Sequence, residues 1–437
     1  MRNARFIQGL SSAAIVALLA ARLAACDDFR SAQQNSAASA KVASANAPPT
    51  AGNVIAQAGG PPPQLAPPVT GNALAGDAAA ANAAGVDAAA QVAAVDVADL
   101  PPAAQSINQA APPAPRGRAA AASYDPVLLR LEVLLDRAGY SPGAIDGRQG
   151  TNLQHAIAAY AQSQGIQANG IQANGTQAHG TQAHGTKGAG SLDPQLWSQI
   201  TTADSGPVVQ AYKITAEDEQ GPFIGTPPKD YEALSKLPAL SWSTPEQEFA
   251  ERFHMSQKLL EALNPKADFT RVGTMLVVTA PRAAPRDYDA ARIEVDKSND
   301  EVRVFGADGK VAAVYPATVG SAERPAPSGE FAVAAVAPHP AYFYDPARLT
   351  FTPTGAKGKL RIAPGPNNPV GSTWIALTVP TYGIHGAPDP TEIGKQQSHG
   401  CVRLTNWDAA ELGKAVKKGV PVDFVGTEAK PKRARKT

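Results

Sequence analysis

His385 and Cys401 are the residues of this 437-residue sequence best suited to covalent chemistry. They lie in the runs Ile384-His385-Gly386 and Ser398-His399-Gly400-Cys401-Val402-Arg403-Leu404. A cysteine thiol with its ordinary pKa of about 8.5 is only slightly ionised at neutral pH, and a nearby imidazole activates it by taking the proton. If Ser398 to Arg403 is extended, period-two alternation puts His399 and Cys401 on one face. His385 then approaches from a separate segment, as bases commonly do. Two other uses of the same residues stay open. His385, His399 and Cys401 could hold zinc, although a catalytic zinc wants three ligands with carboxylates behind them, and nothing in the sequence fixes that geometry. Cys401 could also be a buried structural cysteine.

The order His385, a gap, then Ser398-His399-Gly400-Cys401 followed by Arg403 resembles the signature of the L,D-transpeptidase (YkuD-like) catalytic domain. Two further stretches are similar to that family: Pro327-Ser328-Gly329-Glu330-Phe331, and Pro364-Gly365-Pro366-Asn367-Asn368-Pro369. Many members carry Asn two residues after the cysteine, where this chain has Arg403. The resemblance implies that Cys401 is the nucleophile and His385 its proton acceptor and later donor. It implies that the carbonyl of Gly386 orients the imidazole, and that Ser398, His399 and Gly400 shape the loop and oxyanion region. Arg403 is implied as the partner of a substrate carboxylate, which a guanidinium binds through two parallel hydrogen bonds. The implied reaction is acyl transfer on peptidoglycan stem peptides, with release of D-alanine, a thioester intermediate and a 3→3 crosslink, and it needs no metal, nucleotide or other cofactor. Water as acceptor would give an L,D-carboxypeptidase, and an envelope protein as acceptor an anchoring enzyme. A wall-binding lipoprotein with an inactive catalytic fold is the reading from another class, and the intact His385 and Cys401 argue against it.

These residues need a framework, and residues 288–426 read as mostly β. Ile293 and Val295, then Val302 and Val304, alternate about a Ser-Asn-Asp turn, and Asp308-Gly309 turns the chain again into Val311 to Val319. Two smaller units precede this domain. Residues 123–202 carry Leu128, Leu131, Leu135 and Ala138 at helical spacing, a second helix marked by Leu153, Ile157 and Tyr160, and a third opened by Asp193-Pro194. That stretch is similar to a three-helix peptidoglycan-binding domain. It is interrupted at 166–185 by four copies of a pentapeptide, whose Gly in every fifth place suits neither helix nor strand. His179 and His184 recur with that repeat, and two histidines alone lack the ligand count of a structural metal site. Residues 203–239 read as a linker. Residues 240–281 resemble a small α+β LysM-like unit, with helix starts at Thr244 and Ser256 and a short strand from Thr274 to Thr279.

The N-terminus reads as a lipoprotein signal over residues 1–25. Arg2 and Arg5 precede an apolar run, Ala13 to Ala21, too short to span a bilayer, and Leu23-Ala24-Ala25-Cys26 resembles a lipobox. On that reading Cys26 carries the lipid, and Asp27 after it resembles an inner-membrane retention signal, so the expected location is periplasmic and membrane-anchored. Residues 26–122 are rich in Ala and Pro and almost devoid of aromatics, too poor in large apolar surface to offset the entropy of ordering, and read as a disordered tether. The net charge of +1 argues against nucleic acid as a partner. Five of the positive charges fall between Lys430 and Thr437, in a basic tail assigned to 427–437.

Overall fold

The computed structural model describes residues 100–112, 123–166, 192–321, 325–346, 358–395 and 400–427. The signal segment with Cys26, nearly all of the pentapeptide repeat with His179 and His184, Ser398, His399 and the tail beyond Thr427 lie outside the described residues.

The first helices follow their caps. Helix α1 is Pro102–Asn108, α2 is Pro126–Ala138, α3 is Thr151–Ser163 and α4 is Pro194–Ala203. Asp125 accepts from Val127 N at 2.8 Å, and Asp193 accepts from Gln195 N at 2.7 Å. In each case Pro occupies the first helical position, where its missing N–H costs nothing. Helix α2 ends at Gly139, whose φ of +88° is cheap only for glycine. The stretch 100–112, which composition assigns to the tether, carries α1 with Ala104 and Ile107 buried. Asn108 fixes it by accepting from Val208 N at 2.7 Å and Val209 N at 2.9 Å. Alanine-rich sequence conceals such a helix, because two buried side chains and one carboxamide suffice to dock it.

Strand β1, Val209–Lys213, lies in the stretch expected to be a linker. It pairs antiparallel with β2, Met275–Thr279, from Val209 opposite Thr279 to Lys213 opposite Met275. Between them stand α5 (Ala216–Gln220), α6 (Tyr231–Leu234), α7 (Pro245–Arg252) and α8 (Gln257–Leu263). The unit expected over 240–281 is therefore a β-α-α-β arrangement that begins at Val209, with residues 214–243 inserted before α7. Asn264 ties its end together, accepting from Val277 N at 2.6 Å and donating to Val277 O at 2.7 Å. Leu131, Leu135, Ile145, Phe249, Phe253 and Leu276 belong to one apolar cluster, so the three-helix unit and the βααβ unit share a core.

The remaining strands form one nine-stranded sheet in the order β5-β4-β3-β13-β7-β10-β11-β12-β6. Their ranges are β3 Arg292–Asp296, β4 Glu301–Phe305, β5 Val311–Pro316, β6 Thr318–Val319 and β7 Gly329–Pro338. After them come β10 Thr373–Leu377, β11 Gly383–His385, β12 Val402–Arg403 and β13 Pro421–Val425. The two edge strands, β5 and β6, are separated in the chain only by buried Ala317. A sheet whose opposite edges are joined by one residue must curl back on itself, which leaves little open edge. The β5 edge is further covered by the three-helix unit: Ser141 N donates to Val314 O and Val314 N to Gly139 O, each at 2.9 Å. Among the described residues, β8 (Tyr342–Tyr344) and β9 (Leu360–Ile362) stand apart from this sheet, as β1 and β2 do, and pair antiparallel with each other.

One face of the sheet presents Val295, Val333, Ile375, Ile384 and Val402 to helix α9, Asn406–Ala415, where Leu412 and Ala409 are fully buried. The period-two alternation that sends those side chains inward sends Trp374, His385 and Arg403 to the opposite face.

Candidate active site

Register places the site. Trp374 pairs with His385 across β10 and β11, and His385 pairs with Arg403 across the parallel strands β11 and β12. Directly paired residues share a face, and Cys401 immediately precedes β12. His385 is buried and stacks on Trp374, with ring centroids 5.4 Å apart and planes 21° apart. Cys401 is partly buried in a cluster with Trp374, Tyr342, Tyr344 and Ile362.

The protonation of His385 follows from its neighbour. Nδ1 lies 2.7 Å from the Gly386 carbonyl oxygen. A carbonyl can only accept, so Nδ1 carries the proton and Nε2 keeps its lone pair, the form a general base needs. Burial, helped by the Arg403 guanidinium, holds the imidazole down to about 3, against the pull of the Gly386 and Val370 carbonyls. Burial pushes the Cys401 thiol up to about 11, although the Gly383 backbone and Arg403 favour the thiolate. The resting pair is therefore neutral thiol and neutral imidazole.

The turn between β10 and β11 carries backbone strain. Thr381 has φ of +73°, unusual for a β-branched residue. Its carbonyl oxygen lies 4.0 Å from Cys401 Sγ, and its hydroxyl is buried without a hydrogen-bond partner among the described residues. Thr381→Gly is expected to stabilise the fold by about 1 kcal/mol by relieving this conformation. A fall in the thermal midpoint would show instead that the side chain dictates the turn.

The inserted segment 214–243 supplies a wall that nothing near the cysteine motif announces. Tyr231 packs edge-on against Tyr342 and Tyr344, with centroids 5.8 and 5.2 Å apart. Leu240 N donates to Pro364 O at 2.8 Å, Asn367 N donates to Leu240 O at 3.0 Å, and the Asn367 carboxamide donates to Ser241 O at 2.7 Å. A cavity of ≈ 480 Å³ is lined by Tyr231 and Leu234 of this segment, by Arg403, and by a wall of Asp389, Glu392 and Ile393. Asn152 of α3 steadies that last wall by donating to Ile393 O at 2.9 Å.

Residues 290–424 match the family model of YkuD, the L,D-transpeptidase catalytic domain. The YqjB protein of Bacillus subtilis, which carries an L,D-transpeptidase name, is 31% identical over 134 residues, a match spanning 29% of this chain and 67% of that protein. The chain belongs to the L,D-transpeptidase (YkuD) family. The YkuD protein of Bacillus licheniformis, also named for L,D-transpeptidase, is 27% identical over 178 residues, covering 41% of this chain and 92% of its own. The crystal structure of Mycobacterium tuberculosis L,D-transpeptidase 1 aligns at 21% identity over 36% of this chain and 69% of that one, with a TM-score of 0.24.

Within this L,D-transpeptidase-family domain, Cys401, His385, Gly386 and Arg403 are brought to one region, and Gly400 is beside them. Strand β12 is confined to Val402–Arg403, and Gly400 has φ of +117°. The extended run expected from Ser398 to Arg403 is therefore broken at Gly400, and alternation says nothing about His399. The position suits glycine, because a Cβ on Gly400 would sit 3.2 Å from the Tyr382 ring. Ser398 and His399 lie outside the described residues, and with them the zinc alternative that needs His399. Sequence reasoning missed Trp374, Tyr231, Tyr342 and Thr381. For Trp374 the signal was available, as the aromatic opening an apolar strand next to the histidine strand.

Proposed function

We propose that the chain is a peptidoglycan L,D-transpeptidase that forms an acyl-enzyme on Cys401. The observation that carries this reading is the pairing of His385 with Arg403 on one sheet face, with Cys401 just before β12 in the cluster that holds Trp374 and the imidazole bonded through Nδ1 to Gly386. The Arg403 guanidinium in the cavity binds the carboxylate of a tetrapeptide stem. The Cys401 sulfur attacks the L,D peptide carbonyl while His385 takes the thiol proton, and His385 returns it to the departing D-alanine amine. Backbone amides near Cys401 oppose the charge on the tetrahedral oxygen. An amine of a second stem then attacks the thioester, giving a 3→3 crosslink and restoring the thiol. An amine of an envelope protein is a second acceptor of the same chemical type.

The same reading puts the domain at the periplasmic face of the inner membrane, tied through a lipid on Cys26, with the three-helix and βααβ units holding it against the wall. Incubating the purified chain with tetrapeptide muropeptides tests the assignment by mass spectrometry. Crosslinked dimers with released D-alanine are the expected products. Tripeptides without dimers would make the enzyme an L,D-carboxypeptidase, and unchanged muropeptides would leave a wall-binding protein. Activity is expected to survive EDTA, and its loss there would revive the zinc reading.

A further inference from the structure

His385 has no carboxylate behind it among the described hydrogen bonds; its Nδ1–H goes to the Gly386 carbonyl at 2.7 Å. In a triad an acidic side chain fixes the tautomer and orientation of the histidine. Here a main-chain carbonyl does so, and such a group stands wherever its peptide is held. The support of the Gly386 peptide therefore helps to set where the imidazole points, together with the Trp374 ring stacked on it.

Gly386 N donates to Thr373 O at 3.1 Å, and the Asn406 carboxamide packs against the same residue. Asn406 opens α9 and is buried. Its Oδ1 accepts from Ser372 N at 3.0 Å, and its Nδ2 donates to Pro366 O at 3.1 Å and to Glu251 Oε1 at 3.1 Å. The carboxamide lies directly against Gly386, where an added Cβ would come within 2.2 Å of Asn406 Oδ1. Gly371 closes the same space, since a Cβ there would sit 2.3 Å from Asn406 Oδ1 and 2.4 Å from the Gly386 carbonyl carbon. Glu251 belongs to α7, in the βααβ unit and not in the catalytic domain. Burial pushes its carboxyl up to about 7, and the Asn406 bond pulls the other way.

We propose that Glu251 and Asn406 are positioning residues through which helix α7 of the βααβ unit holds the Gly386 carbonyl, and with it the His385 imidazole, in working orientation. Glu251 does not line the cavity beside Arg403. Its acceptor oxygen orients Asn406, Asn406 buttresses Gly386, and Gly386 fixes His385. The accessory unit is by this route part of the catalytic apparatus. The inference rests on His385 serving Cys401 as proton acceptor.

The test compares the full chain with Glu251→Met, which keeps length but removes the acceptor, and Glu251→Gln, which keeps the acceptor oxygen. Both kcat and KM are measured on tetrapeptide stems, and iodoacetamide alkylation of the Cys401 peptide is followed by mass spectrometry. Glu251→Met is expected to lower kcat about 10- to 100-fold, as misplaced catalytic groups do, with KM changed less than about two-fold and alkylation slowed in parallel. Glu251→Gln is expected to behave as wild type. Wild-type kcat in the Met variant, a loss confined to KM, or equal damage in the Gln variant would each overturn the inference. If wild type turns over no stem, the transpeptidase reading fails by itself; alkylation still decides the positioning claim, because equal rates in Met and Gln variants refute it and slower alkylation in Met supports it.

Discussion

Cys401→Ala is expected to abolish D-alanine release and covalent labelling of the folded protein by a carbapenem, and His385→Ala to slow that labelling about 10²- to 10⁴-fold, the contribution of a positioned base. The pH dependence distinguishes the mechanism. With the imidazole held down to about 3 by burial and the thiol pushed up to about 11 by burial, neither group titrates between those values in the resting enzyme. Alkylation of Cys401 is therefore expected to rise steadily with pH, without an inflection at the ordinary histidine value of about 6.5. An inflection there would show that a thiolate–imidazolium pair exists before substrate binds. The lowered histidine also has a consequence for folding. Between about 6.5 and about 3 the unfolded imidazole binds a proton that the folded one does not, so the unfolded state gains as protons are added. The contribution of His385 to stability is complete above the unfolded value and is lost as pH falls through this window. His385→Gln, which cannot titrate, is expected to flatten that part of the stability curve.

How much of this could be read in the sequence depends on how local the cause is. Caps at Asp193, Thr244 and Ser256 act within three residues, and each was legible from residue type alone: Asp193 accepts from Gln195 N, Thr244 from Gln247 N and Ser256 from Leu259 N. The β3–β4 hairpin was legible because its turn is short and one face is buried. His385 and Cys401 were legible together because parallel pairing of β11 with β12 joins two motifs close in the chain. By contrast, β1 has five residues and a partner more than sixty positions away, so nothing local marks Val209–Lys213 as a strand. The wall built by Tyr231 is more remote still, since its meaning lies in the shapes of Tyr342 and Tyr344. Gly400 shows the opposite failure. An alternating reading was available, and it gave way because the positive φ of Gly400 breaks the extended run that alternation needs.

Gly365→Ala is expected to detach the inserted segment from the sheet and to cost about 3 kcal/mol, combining backbone strain with overpacking. Gly365 has φ of +143°, and an added Cβ would come within 2.1 Å of Leu240 O and 2.3 Å of Leu240 C. Both are backbone atoms, so no rotamer change relieves the collision and the chain at Leu240 must move. That movement breaks the bonds of Leu240 to Pro364 and Asn367 and withdraws Tyr231 and Leu234 from the cavity beside Arg403. KM for stem substrates is expected to rise, and protease cleavage within 221–243 to quicken. Gly309→Ala is the control: φ there is +74°, but nothing lies within 4 Å of the new Cβ, so it costs only the strain of about 1 kcal/mol. Denaturant midpoints that fall equally in the two variants would show that the close approach of Leu240 contributes nothing. A larger fall for Gly365→Ala, together with the KM change, would show that one glycine lets the accessory segment close the active-site wall.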